Sequence, residues 1–174
     1  MSRAKRLANH IERTVTGPMW HGPALVDVLD GVDAARARAR PIAGAHSIWE
    51  IVLHITAWAE IARQRIHGAA LADPPPEQDW PPVPASGSDL HFRPDPASDP
   101  EWAQAVERLK ESHRRLAADT RLLDDAALDA RVKNLEYPVG ILLDGVVEHG
   151  TYHGGQIALL KKASGGAISA PTAS

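Results

Sequence analysis

Three of the nine histidines in this 174-residue sequence occupy positions at which their side chains can act together. His149 and His153 are four residues apart in a predicted helix, so both rings lie on one helix face, roughly 6 Å apart. His54 belongs to a different predicted helix, and its spacing from apolar neighbours also places it on an interior face. Imidazole nitrogen is a good ligand for zinc, nickel, copper or iron. The three histidines therefore predict one metal ion held between two helices.

Three nitrogen ligands leave at least one coordination position for water or a substrate, which is typical of catalytic rather than structural metal sites. Three buried rings without a shared purpose would be costly, since an unpaired buried polar group costs about 1–3 kcal/mol. The alternative stays open, because a single interior histidine is more often an ordinary hydrogen-bonded core residue. The residues do not select one metal: zinc or nickel are the first candidates, and iron or manganese the next.

Heptad spacing is the evidence that these histidines face the interior. In the last helix the steps are 4, 3, 4, 3 and 4 through Leu142, Val146, His149, His153, Gln156 and Leu160. In the second helix the steps are 3, 4 and 3 through Ile51, His54, Trp58 and Ile61. The third helix has the same pattern through Trp102, Val106, Leu109, His113, Leu116, Thr120 and Leu123. A fourth histidine, His113, is therefore also predicted to be buried.

Four long helices carry these heptad patterns and the other interior faces of the predicted fold. The first is predicted over residues 3–16, and the second runs from the capping box Ser47–Glu50 to about His67. The third begins at Pro100 after Ser98 and Asp99, and the fourth runs from Pro138 to the stop at Gly165 and Gly166. Shorter helical pieces follow Pro23 and Asp33. The glycines of the fourth helix predict close approach by another helix or by the long proline-rich connection.

Residues 72–100 contain nine of the fourteen prolines, a density that excludes a regular helix or a central strand. Trp80 and Phe92 are expected to pack back on the body, and a connection this long is either functional or mobile. The prediction is an all-α, antiparallel four-helix bundle with a long Pro-rich connection between helices two and three. Residues 1–166 form its single domain, and residues 167–174 a frayed tail.

Composition excludes several classes of function. There are no cysteines, so any metal must be held by nitrogen and oxygen ligands, and no thiolate nucleophile comes from the chain. The net charge of −3, from 19 basic and 22 acidic residues, gives no reason to expect nucleic acid as a partner. No apolar run reaches the length of a membrane helix or a signal peptide core, so no membrane is expected and the default location is cytoplasmic.

Three segments resemble the DinB/YfiT-like superfamily: HSIWEIVLHITAW (46–58), DWPPVP (79–84) and EHGTYHGGQIALLKK (148–162). The resemblance implies a four-helix bundle that binds a divalent metal through one histidine of helix two and two of helix four. Those positions correspond to His54, His149 and His153. Relatives of this fold include thiol-dependent transferases and isomerases that use bacillithiol or mycothiol, and proposed metal-dependent hydrolases. The resemblance also makes a homodimer plausible, and it does not imply DNA binding.

Residues beside the three histidines each allow two interpretations. Tyr152 is a candidate proton donor or a wall of the site, and Trp58 a pocket wall or a core aromatic. Gln156 either holds the free nitrogen of a ligand histidine or ties two helices together. Glu148 points about 100° away from His149, so it either orients a neighbour or is solvated, and solvation is expected. His113 is expected to be an outer neighbour of the site or a packed histidine rather than a fourth ligand.

The remaining histidines are treated as solvent-exposed: His10, His21, His46, His67 and His91. The favoured function is a metal-dependent enzyme that acts on a small-molecule substrate, either as a thiol-dependent transferase or as a hydrolase. Because the chain has no cysteine, the thiol would be a low-molecular-weight cofactor. The alternatives are a non-catalytic metal- or small-ligand-binding bundle and a purely structural bundle.

Overall fold

A computed structural model of the protein describes residues 1–69, 74–84 and 100–165. This part of the chain contains helices and no β-strand. In chain order the helices are α1 (Arg3–Thr16), α2 (Leu25–Leu29), α3 (Ala34–Arg38), α4 (Ile48–Ile66), α5 (Pro76–Asp79), α6 (Pro100–Arg121), α7 (Asp125–Asp129) and α8 (Val139–Ala163). The predicted all-α fold class is therefore confirmed.

Four helices of 14, 19, 22 and 25 residues build the body: α1, α4, α6 and α8. Helix α1 packs on α6 and α8, and α4 also packs on α6 and α8. Helices α4 and α8, which carry the three histidines, are therefore direct neighbours. The antiparallel direction of the four helices stays a prediction, as do the domain bounds.

The start of α4 is fixed by the predicted capping box. Glu50 donates its backbone N–H to Ser47 Oγ at 3.2 Å, and Ser47 N–H donates to Glu50 Oε2 at 2.7 Å. These reciprocal bonds satisfy amides that have no partner within the helix. Helix α4 ends at Ile66, with His67 as its C-cap and Gly68 at φ +86°. His54 is therefore held two turns inside a helix that is capped at both ends.

Glycines let neighbouring elements approach α8 closely. A Cβ atom on Gly150 would stand 2.6 Å from Thr14 Cγ2, and one on Gly154 would stand 3.3 Å from Leu25. The prediction of close approach is confirmed there and at Gly140. At Gly145 and Gly155 an added Cβ would meet no described atom within 4 Å, so no described helix approaches closely there, and approach by the proline-rich connection stays a prediction.

The described part of the proline-rich connection contains one short helix of four residues, which the expectation of no regular helix in residues 72–100 did not include. Helix α5 begins at Pro76, and a proline is tolerated in the first turn because those N–H groups have no intrahelical acceptor. Trp80, which follows α5, packs on the body as predicted. Phe92, His91, the cap residues Ser98 and Asp99 and the tail 167–174 lie outside the described residues.

Within the described ranges, no helix combines the length and the apolar character needed to cross a membrane.

Candidate metal centre

The rings of His54, His149 and His153 converge between α4 and α8. Ring centroids are 4.8 Å apart for His54 and His149, 4.8 Å for His54 and His153, and 4.4 Å for His149 and His153. One nitrogen from each ring lies within 4.8 Å of the other two, and Nε2 of His54 is 2.9 Å from Nε2 of His149. The seam positions therefore bring together the three rings that the sequence singles out.

Hydrogen bonds on the far side of two rings determine which nitrogen faces the cluster. His54 Nδ1 is 2.6 Å from the backbone oxygen of Asp79, and His153 Nδ1 is 2.6 Å from Gln156 Oε1. Both partners are acceptors, so each Nδ1 carries the proton and donates it. Nε2 then keeps its lone pair, which is the form of imidazole that binds a metal.

Burial keeps the cluster neutral. His54 is 5% exposed and His153 is 6% exposed. Loss of solvent lowers the pKa of both imidazoles, and it outweighs the opposing contacts with Asp79 and Gln156. Burial, together with the proximity of His153 and His54, lowers the pKa of His149 to about 3. At neutral pH all three imidazoles are therefore uncharged, as metal ligation requires.

A segment of the proline-rich connection packs against His54. The Trp80 ring is stacked between two imidazole rings. Its centroid lies 3.9 Å from that of His54, with 6° between the ring planes, and 3.6 Å from that of His46, with 7° between the planes. Asp79 accepts the His54 bond through its backbone and a 2.7 Å bond from Trp58 Nε1 through its carboxylate. One turn of chain thus fixes the orientation of His54 and of its neighbour Trp58.

The residues predicted to surround the three histidines differ in their contacts and exposure. Gln156 contacts His153 and donates to the Tyr152 hydroxyl at 3.1 Å, so it joins the site to that phenol. Tyr152 is 64% exposed, with its ring 5.1 Å from His153, at the solvent side of the cluster. Trp58 is half-buried, 6.0 Å from His149. Glu148 is exposed, as expected. The catalytic and binding roles assigned to Tyr152, Trp58 and Gln156 stay predictions.

His113 is buried and does not belong to the group of metal-ligating side chains, although its proximity contributes to the lowered pKa of His149. Its Nδ1 contacts the backbone oxygen of Leu109 at 2.9 Å in its own helix, and its Nε2 has no hydrogen-bond partner among the described residues. The group of metal-ligating side chains contains only the other three histidines in the described ranges. That His113 is an outer neighbour of the site or a packed histidine, and not a fourth ligand, stays a prediction.

Two residues of the site were not singled out from the sequence. Asp79 belongs to the DWPPVP run, but no periodicity connects it to His54, which is 25 residues earlier. His46 is exposed, as expected, but its ring also stacks on the face of Trp80 opposite His54. Both contacts depend on how the proline-rich connection folds back, which local sequence patterns do not encode.

A cavity of about 280 Å³ adjoins the cluster, with His149 in its wall. The other lining side chains are apolar or aromatic, and one of them, Trp58, donates its Nε1 hydrogen to Asp79. The three nitrogen donors, two of which already have the spacing of about 3 Å expected of atoms that share one ion, fit a divalent metal. The arrangement can hold a cation beside a space large enough for a small molecule.

A family model of the DinB superfamily matches residues 20–157, which is more than half of the chain. The matched range begins after α1 and includes His54, His149 and His153. No curated protein and no solved structure gives a significant match to the chain. The helical fold, the order of its motifs and this match agree, and the chain belongs to the DinB superfamily.

Proposed function

We propose that this protein is a metal-dependent enzyme that acts on a small molecule by thiol transfer or hydrolysis, with the ion held by His54, His149 and His153. The observation that carries the proposal is the convergence of three neutral imidazoles beside an open cavity. A structural metal site is typically closed by four protein ligands, whereas a catalytic site has three and keeps one position open. In the described ranges only three ligand side chains meet here.

A divalent cation at this position would supply Lewis acidity, which lowers the pKa of a thiol or of water and makes either one a nucleophile near neutral pH. The chain supplies the rest. Asp79 and Gln156 hold the Nδ1 protons of two histidines, so that both rings keep one tautomer and one orientation. Trp80 excludes water from one face of His54.

The residues available for proton transfer are few. The Tyr152 hydroxyl is the candidate donor, because it lies at the solvent side of the cluster and is joined to His153 through Gln156. The chain has no cysteine, so thiol transfer requires a low-molecular-weight thiol as co-substrate.

Three imidazoles suit zinc or nickel first, with iron or manganese as further candidates.

The second candidate is a bundle that binds a metal or a small ligand without turnover. The contacts of Asp79, a carboxylate beside the cluster, favour this second candidate. Asp79 Oδ1 accepts a hydrogen bond from Trp58 Nε1 and lies 3.3 Å from His54 Nδ1. A carboxylate held in this way orients its neighbours and is less available as a general base.

The test compares zinc-loaded and nickel-loaded protein with the metal-free protein. Each is assayed for consumption of electrophiles with a panel of low-molecular-weight thiols, and for ester and amide hydrolysis without thiol. We expect one metal ion per chain and turnover that chelation abolishes and metal restores. His149→Ala should lose both metal and turnover, whereas His113→Ala should keep both.

Each negative result has a defined meaning. Metal at one ion per chain without turnover on either panel favours the binding bundle. Turnover that survives in the chelated protein, or in His149→Ala, contradicts the three-histidine centre as its source. Failure to bind zinc, nickel, iron or manganese contradicts the metal-dependent enzyme, and it leaves of the second candidate only a bundle that binds a small ligand.

A further inference from the structure

The cavity beside His149 has a wall of uniform chemistry. Apart from His149 it is lined by Trp58, Tyr137, Ile141, Leu142, Gly145 and Val146. None of these described lining residues carries a full charge. An apolar cavity of about 150 Å³ is enough to admit benzene, and this one measures about 280 Å³. Its size and lining suit a ring or a branched alkyl group.

The polar atoms of the two aromatic walls are engaged elsewhere. Trp58 Nε1 donates to Asp79 at 2.7 Å, and the Tyr137 hydroxyl accepts from Arg65 Nη1 at 3.4 Å. Both rings therefore present mainly carbon to the cavity. A charged group placed here would lose its hydration without gaining a partner, whereas an apolar group would gain from leaving water.

Two lining residues, Gly145 and Ile141, bear on the size of the group that the cavity can accept. Gly145 has space around it, since an added Cβ would meet no described atom within 4 Å. Glycine inside a helix lowers helix stability relative to alanine, and no packing contact among the described residues accounts for it at this position. Ile141, one turn earlier, is 56% exposed although it is a large apolar side chain. Both residues lie on the same face of α8 as His149.

We infer that this cavity binds the apolar body of the substrate whose reacting end lies at the three histidines, and that Gly145 and Ile141 determine the size of group accepted. The substrate class is then a small molecule with a compact ring or branched alkyl group next to a polar reactive group. The inference rests on the proposed function for the position of the reactive end. The part of the inference that concerns the apolar group of the substrate follows from the cavity alone.

Two hydroxamates with the same metal-binding head test the inference without turnover. Acetohydroxamate carries a methyl group, and benzohydroxamate carries a phenyl ring in its place. Their dissociation constants are measured by calorimetry on the zinc-loaded protein. We expect benzohydroxamate to bind at least about tenfold more tightly, which corresponds to about 1.4 kcal/mol.

Variants locate the phenyl ring. Gly145→Leu fills the cavity and should bring the ratio of the two dissociation constants close to one, while the affinity for acetohydroxamate stays within about twofold. Gly155→Leu is the matched control, because Gly155 is an equally open glycine of α8 that lies outside this cavity. Its ratio should equal that of the wild type. Ile141→Ala removes an exposed part of the cavity wall and should reduce the preference for benzohydroxamate at least about threefold. This variant introduces no larger side chain, so it remains informative if Gly145→Leu does not fold.

The outcomes separate this inference from the proposed function. If neither hydroxamate binds the zinc-loaded protein, the open coordination position is wrong and the proposed function fails with it. If both bind with equal affinity, the metal centre stands and the apolar subsite is overturned. A preference for benzohydroxamate that persists in both Gly145→Leu and Ile141→Ala also overturns it, since the ring must then bind elsewhere.

Discussion

The cluster of His54, His149 and His153 and the lone His113 show two outcomes of the same sequence pattern. All four histidines occupy interior heptad positions, and all four have imidazoles whose pKa is lowered by burial. The three clustered rings contact one another across two helices. His113 is 1% exposed and bonds to the backbone of its own helix.

The difference lies in where the partner of each ring comes from. His54 receives its acceptor from Asp79, in a segment 25 residues away, and His153 receives one from the side chain of Gln156. His113 bonds to Leu109, four residues earlier, an arrangement that any helix offers. A heptad position therefore predicts burial, while contacts supplied by side chains and by other segments distinguish a candidate site from core packing.

The largest expected effect separates the two kinds of histidine by metal affinity. Removal of an outer partner alone typically weakens metal binding 10–100-fold, so removal of a ligand should do more. We expect His153→Leu to weaken zinc binding at least about 1,000-fold, or about 4 kcal/mol. His113→Leu, the matched control, should change it less than about threefold. Competition with a chromophoric chelator measures both, and equal losses in the two variants would erase the distinction.

The second prediction concerns the stability of the metal-free protein between pH 4 and 6.5. Burial lowers the pKa of His113 to about 4 from the ordinary 6.5, so below pH 6.5 the unfolded chain binds a proton that the folded chain does not. Stability from this group is complete above pH 6.5 and is lost as the pH falls toward 4, by about 3 kcal/mol. Urea unfolding of wild type and His113→Leu at each pH, in the presence of chelator, measures the difference. Parallel stability curves would show that the pKa of His113 is not lowered in the folded protein.

The third prediction tests the segment that holds His54. Trp80→Ala removes the ring stacked on His54 and should weaken zinc binding about 10–100-fold, the range typical of residues that orient a ligand. Trp20→Ala is the control, because Trp20 is 98% exposed. An unchanged zinc affinity in Trp80→Ala would show that the partner segment is dispensable, and the contrast with His113 would lose its explanation.

The smallest expected effect concerns the amide that orients His153. Gln156→Leu removes the acceptor of the His153 Nδ1 proton and should weaken zinc binding about tenfold. Gln64→Leu, at an exposed position of α4, should have no effect. The same chelator competition applies, and a loss shared by both variants would indicate a general effect on stability rather than a contact with His153.

The sequence predicted the parts of this molecule that depend on local patterns. The capping box at Ser47, the short helix after Asp33 and the interior positions of His54 and His153 all follow from spacing within one helix. The roles of Asp79 and His46 did not, because both are defined by the return of the connection onto α4. Gly145 was expected where another helix or the proline-rich connection approaches α8. No described helix does so and the residue borders a cavity, which only the arrangement of the neighbouring helices reveals.

The metal centre requires that the three imidazoles share one ion. An X-ray structure of the zinc-loaded protein, with anomalous data collected above the zinc absorption edge, can show that ion. We expect a single strong peak bonded to one nitrogen each of His54, His149 and His153 at about 2.0–2.1 Å. A peak bonded to fewer than three of these rings, or no peak between them in protein given excess zinc, would contradict it.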